Sequence, residues 1–241
     1  MYVQCVGEGA PNLEDLRELL RSKFPGASVL DKPEYGVVST GLGELDSVLP
    51  GGVPLGAMTL LTGGASCGKT GIALAAAARF TQSEARVGWV HDGALSASSL
   101  AHAGVVPEYL LQVRAESTGQ ALRCTDFLLR WQAFHFLVLD WPRPASRGSA
   151  WNRLNRLVTG APHALMVLCA PRPPGSPVRF CAAVHLRVDR HAGATRVRLA
   201  KSRYPHDVDR AILRSRRLPG APFELLPEHP GLGQRRHEDW G

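Results

Sequence analysis

Gly63-Gly64-Ala65-Ser66-Cys67-Gly68-Lys69-Thr70 is the stretch that decides the fold of this 241-residue chain. It matches GxxxxGKT, the Walker A pattern of loops that bind phosphate groups. The preceding residues 57–62 (AMTLLT) predict a short apolar strand, and the Ala-rich residues 69–80 predict a helix. A strand, a glycine-rich loop and a helix in this order are the context that a phosphate-binding loop requires.

Each part of this loop has a predicted contact with a nucleotide. The glycines let backbone N–H groups converge on the phosphates, and the following helix adds the partial positive charge of its N-terminus. Lys69 would contact the β- and γ-phosphates, and the Thr70 hydroxyl would be a ligand of Mg²⁺. We therefore expect ATP and Mg²⁺ to bind at Gly63, Gly64, Ala65, Ser66, Cys67, Gly68, Lys69, Thr70 and Gly71.

Two carboxylates further along the chain are candidate partners of this loop. Residues 134–139 form an apolar run that ends in Asp140, the form of a Walker B strand whose carboxylate holds Mg²⁺. A plain strand end is the alternative interpretation. Asp92 follows the predicted strand 86–90 and would activate the attacking water. A cap of a turn or helix in HDGALS is an interpretation with at least as much support.

The order of the predicted elements indicates an α/β fold with a mostly parallel sheet and antiparallel strands at one edge. Three alternating runs after residue 182 (AAVHLRVD, TRVRLAKS and DRAILRS) predict the antiparallel strands. The other expected strands are 110–114, 134–139 and 164–169, and the other expected helices are 44–49, 96–103, 118–131 and 151–157.

Three parts of the chain are expected from this pattern. Residues 1–34 would hold an amphipathic helix (13–22) and a linker, residues 35–218 the nucleotide-binding core, and residues 219–241 a flexible, Pro- and Gly-rich tail. No apolar run reaches the roughly 18 residues of a membrane span, and no signal peptide is visible. We expect a cytoplasmic protein without a membrane partner, with reduced cysteines and no zinc site.

Positive charge is concentrated in one part of the chain. Residues 143–217 hold 16 Lys and Arg against three Asp, a net charge of +13, within a chain whose net charge is +7. Such a region is suited to non-specific contact with DNA or to an acidic protein partner. The alternative is an ordinary solvated surface in an Arg-rich protein, since 24 of the 28 cations are Arg.

From about residue 13 to residue 214 the chain resembles the RecA recombinase core, and most closely the short RecA-like ImuA proteins. The stretches that carry the resemblance occur in the same order and spacing: STGLGELDSVLPGGVPLGAMTLLTGGASCGKT, AGVVPEYLLQVRAESTGQAL and FHFLVLD. The resemblance implies a RecA-type fold, ATP as the ligand, Lys69 and Thr70 at the phosphates and Asp140 as the Walker B carboxylate.

The resemblance also implies a role for Lys201 and Arg203. They resemble the K-x-K pair with which RecA proteins reach the γ-phosphate bound by a neighbouring subunit. The helix at 13–22 resembles the element through which RecA subunits pack. Self-association, or pairing with RecA itself, is therefore expected.

The chain departs from RecA at several functional positions. RecA has a catalytic Glu where this chain has Asp92, or Gly93 if the alignment shifts by one residue. The Asn-Gln pair of RecA corresponds here to the stretch that begins Cys169-Ala170. The two DNA-binding loops are reduced to a short Pro-rich stretch at 171–178, and the C-terminal domain of RecA is missing. We therefore expect no RecA-like strand exchange.

ImuA proteins lack the same parts and serve a mutagenic DNA-repair system with the ImuB polymerase-like protein and an error-prone DnaE-type polymerase. The resemblance thus implies an accessory factor in DNA-damage-induced mutagenesis and translesion synthesis. The Asp in place of the catalytic Glu and the loss of the Asn-Gln pair predict that its ATPase is weak. Two alternatives stay open: an adaptor protein that binds nucleotide without significant turnover, and a diverged regulator of RecA.

Overall fold

A twisted, mostly parallel sheet of eight strands organises the part of the chain that the structure describes. The computed structural model describes residues 35–93, 95–141, 148–172, 175–191, 194–204 and 210–213. The predicted helix 13–22, the linker up to residue 34 and the tail from residue 219 lie outside these ranges. The boundaries expected at residues 34 and 218 therefore stay predictions.

The strands of the large sheet are β3 Met58–Thr62, β4 Val87–His91, β5 Leu110–Arg114, β6 Phe136–Asp140, β7 Ala164–Cys169, β8 Val184–His191, β9 Ala194–Ser202 and β10 Arg210–Leu213. They lie in the order β10-β9-β8-β3-β7-β6-β4-β5. β3 pairs in parallel with both β7 and β8, and β9 and β10 complete one edge in antiparallel pairing. The predicted class, an α/β fold with a mostly parallel sheet and antiparallel edge strands, is confirmed.

Helices occupy the connections between these strands, as in other α/β folds. They are α1 Gly43–Asp46, α2 Lys69–Gln82, α3 Ala97–Ala103, α4 Thr118–Trp131, α5 Gly148–Thr159 and α6 Pro177–Cys181, with a 3₁₀ turn at Pro107–Tyr109. The alanines of α2 are buried because small side chains let this helix pack closely on the sheet. Phe80 of α2 stacks on Phe136 of β6 with 4.7 Å between the ring centroids.

Several predicted bounds need correction. The helix expected at 44–49 is the single turn α1, and the helix expected at 151–157 is the longer α5. The first of the three alternating runs is predicted to be an antiparallel strand, and β8 is antiparallel to β9 but lies parallel to β3. An alternating pattern reports the two faces of a strand and not the direction of its neighbour, so the sequence could not distinguish these pairings.

The motif STGLGELD before the loop has a local structural role. A two-stranded antiparallel ribbon, β1 Val37–Val38 and β2 Val53–Pro54, encloses it. The Asp46 carboxylate accepts hydrogen bonds from the Ser39 hydroxyl (2.7 Å), the Thr40 hydroxyl (2.7 Å) and the Thr40 backbone N–H (3.0 Å). This carboxylate therefore fixes the turn that leads into α1.

Two further observations concern cysteines and membranes. Cys67, Cys124, Cys169 and Cys181, the cysteines within the described ranges, are unpaired. Among the described residues no helix has both the length and the apolar character to cross a membrane.

Candidate functional site

The phosphate-loop sequence lies between the buried strand β3 and the N-terminus of α2, at the carboxyl end of the parallel strands. The N–H of Gly63 donates to the carbonyl of Cys169 at the end of β7 (3.2 Å). Two glycines are required by close packing against β8 and β9. A side chain at Gly63 would collide with the Val188 carbonyl, and one at Gly68, where φ is +105°, would collide with Thr195.

Lys69 extends back over this loop. Its ammonium donates to the carbonyls of Gly63 (2.9 Å) and Gly64 (2.6 Å) and lies 3.5 Å from the Cys67 sulfur. These are neutral acceptors, so the positive charge of Lys69 is not cancelled by an acid at this point. The ammonium is therefore placed where it can interact with an anion bound by the loop.

A cavity of about 220 Å³ opens at the loop. Its lining consists of Ser66, Cys67, Gly68, Lys69, Thr70, Gly71 and Arg190. Gly63 and Gly64 reach this group through their carbonyl contacts with Lys69, whereas Ala65 is exposed. The structure thus brings six of the nine predicted loop residues, 66–71, together around one concave surface.

Asp140 ends β6 beside this loop, as the sequence predicted. The Thr70 hydroxyl lies close enough to its carboxylate to favour the ionised form. Burial and the neighbouring charge of Asp92 raise the pKa of Asp140 to about 6, against the opposing effects of Lys69 and Thr70. Four side chains predicted from separate parts of the sequence, those of Lys69, Thr70, Asp92 and Asp140, are therefore close enough to interact.

Asp92 directly follows the last residue of β4 and is exposed. The alternative interpretation is a cap of a turn or of the next helix, and the structure tests the helix. The N-cap of α3 is Ser96, whose hydroxyl accepts from the Ser99 N–H (3.1 Å). Asp92 is thus not the cap of α3, and it lies near enough to Asp140 for its charge to raise the pKa of that carboxyl.

The donor set fits Mg²⁺ better than a softer metal. Within the described residues no three His, Cys, Asp or Glu side chains gather as a metal site. A hydroxyl and a carboxylate, Thr70 and Asp140, are hard oxygen donors of the kind that Mg²⁺ prefers, and this ion usually keeps several water or phosphate ligands. These two residues would hold the ion next to the phosphates.

Lys201 and Arg203 lie at a different place, at the end of β9. The Lys201 ammonium donates to the carbonyls of Arg179 (2.9 Å), Phe180 (3.0 Å) and Ala182 (2.7 Å) at the end of α6. Arg203 donates to the Phe180 carbonyl (3.3 Å). Burial, followed by the charge of Arg203, lowers the pKa of Lys201. Within this chain both cations bind a helix end, and the role toward a neighbouring subunit stays a prediction.

Part of the basic region is neutralised internally. Asp189 binds Arg196 (2.5 Å) and lies 3.5 Å from Arg198, and Asp126 of α4 binds Arg153 (2.6 Å). Arg187 of β8 is exposed and forms no ion pair with any of the described residues. The surface that could meet DNA is therefore smaller than the charge count suggests.

Sequence reasoning missed Arg190. It is an isolated Arg in an alternating strand, and only the packing of β8 and β9 against the loop places it in the cavity.

The comparison of the chain with models of protein families finds no match, and neither does the comparison with curated proteins.

Proposed function

We propose that this chain is a RecA-type P-loop protein that binds ATP together with Mg²⁺. The observation that carries the proposal is the convergence of Lys69, Thr70 and Asp140, with Asp92 nearby, at the carboxyl edge of a parallel sheet. This edge, next to the glycine-rich turn, is where α/β proteins bind phosphorylated ligands. The RecA type itself rests on the sequence resemblance.

In this proposal each residue of the site has a separate role in binding the nucleotide or the metal ion. Lys69 exchanges its carbonyl contacts for phosphate oxygens, and the backbone N–H groups of the loop hold the β-phosphate. Thr70 and Asp140 hold Mg²⁺, which neutralises charge on the phosphates when it is bound. Asp92 accepts a proton from the attacking water.

We propose that turnover is slow. Asp92 is one methylene shorter than Glu and is exposed, so water competes for its carboxylate. The end of β7, beside the loop, offers the Cys169 thiol in place of an amide, and burial raises the pKa of that thiol to about 11. A neutral thiol is a weak hydrogen-bond donor toward a γ-phosphate.

The test is a comparison of the full-length chain with Lys69→Ala. We expect the wild type to bind an ATP analogue and to hydrolyse ATP at a low steady-state rate, and Lys69→Ala to lose both. Arg187→Ala, which removes a charge of the same sign from exposed β8, is the matched control. Equal ATPase rates in the wild type and Lys69→Ala would remove the enzymatic claim, and equal nucleotide affinity would remove the proposal as a whole.

We propose a biological role as an accessory factor in DNA-damage-induced mutagenesis and translesion synthesis, with RecA or an ImuB-like protein as partner. Support comes from the resemblance to ImuA proteins over residues 13–214. An adaptor that binds nucleotide without significant turnover is the second candidate. The exposure of Asp92 and the thiol at Cys169 favour it. If the wild type binds ATP measurably but hydrolyses it no faster than Lys69→Ala does, the adaptor is the correct function.

Contact with DNA is part of this proposal. Phosphate contacts release counterions, so the affinity for a fluorescent single-stranded oligonucleotide should fall steeply as the salt concentration rises. Homo-oligomers would be visible in the same samples by sedimentation. If the oligonucleotide does not bind at low salt, the basic face must serve a protein partner.

A further inference from the structure

We propose that Arg190 binds the α- and β-phosphates of the nucleotide from within the same subunit, as a second cation opposite Lys69. This inference rests on the proposed function, because it assigns a further residue to the same phosphate site. It requires three things of the Arg190 side chain. The side chain must lie near the loop, it must be free to bind an anion, and its position must indicate which phosphates it contacts.

The packing of β8 places Arg190 beside the loop. The paired register of β3 and β8 ends at Thr62 and Arg187, so the last residues of β8 extend past β3 and lie alongside the loop. The carbonyl of Val188 packs where a Gly63 side chain would be, and Thr195, the register partner of Arg190, packs against Gly68. The Arg190 side chain then lines the cavity with residues 66–71.

The charge of Arg190 is not used by the neighbouring acid. Asp189 interacts with Arg196 and Arg198 of β9, and adjacent strand residues point to opposite faces. The Arg190 side chain is exposed and makes no hydrogen bond or ion pair with any of the described residues. A guanidinium in this state can offer two parallel N–H groups to phosphate oxygens.

The strand order indicates which phosphates Arg190 would contact. β8 lies on one side of β3, whereas β7, β6 and β4 lie on the other. Thr70, Asp140 and Asp92 mark the Mg²⁺ and γ-phosphate end, because the two carboxylates belong to β6 and to the residue after β4. Arg190 thus approaches from the opposite side, toward the phosphates that ADP and ATP share.

The experiment measures the dissociation constants of ADP, ATP and inorganic pyrophosphate for the full-length chain and three variants. Arg190→Ala should weaken all three by about 10- to 100-fold, the usual effect of a hydrogen-bonded charge. Arg190→Lys should recover part of the loss. Arg187→Ala lies on the same strand outside the cavity, removes the same charge and should bind like the wild type. Thermal melting of each variant checks the fold.

Each contrary result has a distinct meaning. Wild-type affinity in Arg190→Ala would overturn this inference and leave the proposed function standing. A loss for ATP without a loss for ADP would overturn the placement at the shared phosphates. An equal loss in Arg187→Ala would show a general charge effect and would also overturn it. A wild type that binds none of the three ligands would overturn the proposed function together with the inference.

Discussion

The Thr70 hydroxyl lies beside the Asp140 carboxylate at the candidate site and opposes part of the rise in the pKa of that carboxylate. Thr70 is the second residue of α2, the helix after the glycine loop. Asp140 is the last residue of β6, which lies two places from β3 in the sheet. The contact links the two motifs that the sequence identified separately. It also places a hydroxyl and a carboxylate together, which is the pair of protein ligands proposed for Mg²⁺.

Asp140→Asn should abolish most of the gain in ATP affinity that Mg²⁺ provides. The amide keeps the shape of the side chain and a hydrogen-bond acceptor for Thr70 but removes the negative charge that attracts the ion. Titration of an ATP analogue with Mg²⁺ and with EDTA checks this. Affinity in EDTA should be equal to that of the wild type or higher, because a partly buried negative charge near the phosphates is removed. An undiminished response to Mg²⁺ would contradict the assignment of Asp140.

Asp92→Ala should lower the ATPase rate by about 100-fold or more without weakening nucleotide binding, since general-base catalysis contributes about 10²- to 10⁴-fold. Asp92→Glu, which lengthens the side chain by one methylene, is the companion variant and should retain or increase turnover. Single-turnover kinetics at saturating ATP measure the chemical step directly. Unchanged turnover in Asp92→Ala would mean that this residue is not the base.

The sequence predicted the fold class and most of the loop site because each rests on local patterns. A strand, a glycine loop and a helix are adjacent in the chain, and apolar runs such as residues 164–169 define buried strands by themselves. The strand β5 and the helix α4 were predicted with the bounds that the structure gives.

What the sequence missed depends on contacts between distant segments. Arg190 belongs to the cavity only because β8 packs against Gly63 and Gly68, and no local pattern records that contact. The same holds for Lys201, whose three carbonyl partners lie about twenty residues earlier in the chain. Long-range packing of this kind requires the three-dimensional arrangement of the strands.

Lys201→Met should destabilise the fold by about 1–3 kcal/mol, because the carbonyls at the end of α6 lose a charged donor in a partly buried place. Denaturant unfolding measures the change in the free energy of unfolding. Arg203→Met, which loses one contact at 3.3 Å, should cost less. A variant as stable as the wild type whose ATPase loses its dependence on protein concentration would instead support the role toward a neighbouring subunit.

His185 should make the fold sensitive to mild acid. This side chain is buried on β8 and its Nε2 atom is hydrogen-bonded to the Thr62 hydroxyl at 2.8 Å. Burial, together with the positive charges of Arg179, Arg187 and Lys201, lowers its pKa from 6.5 to about 4. Above pH 6.5 both the folded and the unfolded states are neutral at this residue, so it has no effect on stability there.

As the pH falls below 6.5, the unfolded state binds a proton that the folded state still excludes, so the folded state loses stability until about pH 4. The loss from this residue between pH 7 and pH 5 is about 2 kcal/mol.

His185→Gln keeps a partner for Thr62 and cannot titrate. Between pH 7 and pH 5 its free energy of unfolding should therefore fall by about 2 kcal/mol less than that of the wild type. Urea unfolding at pH 7 and pH 5 measures the difference, with His102→Gln, at an exposed position on α3, as the control. Partly buried His135 and buried His163, whose pKa values are also lowered by burial, are present in every sample, and the comparison therefore isolates His185. The same loss of stability in wild type and His185→Gln would show that this histidine is not excluded from protonation in the folded state.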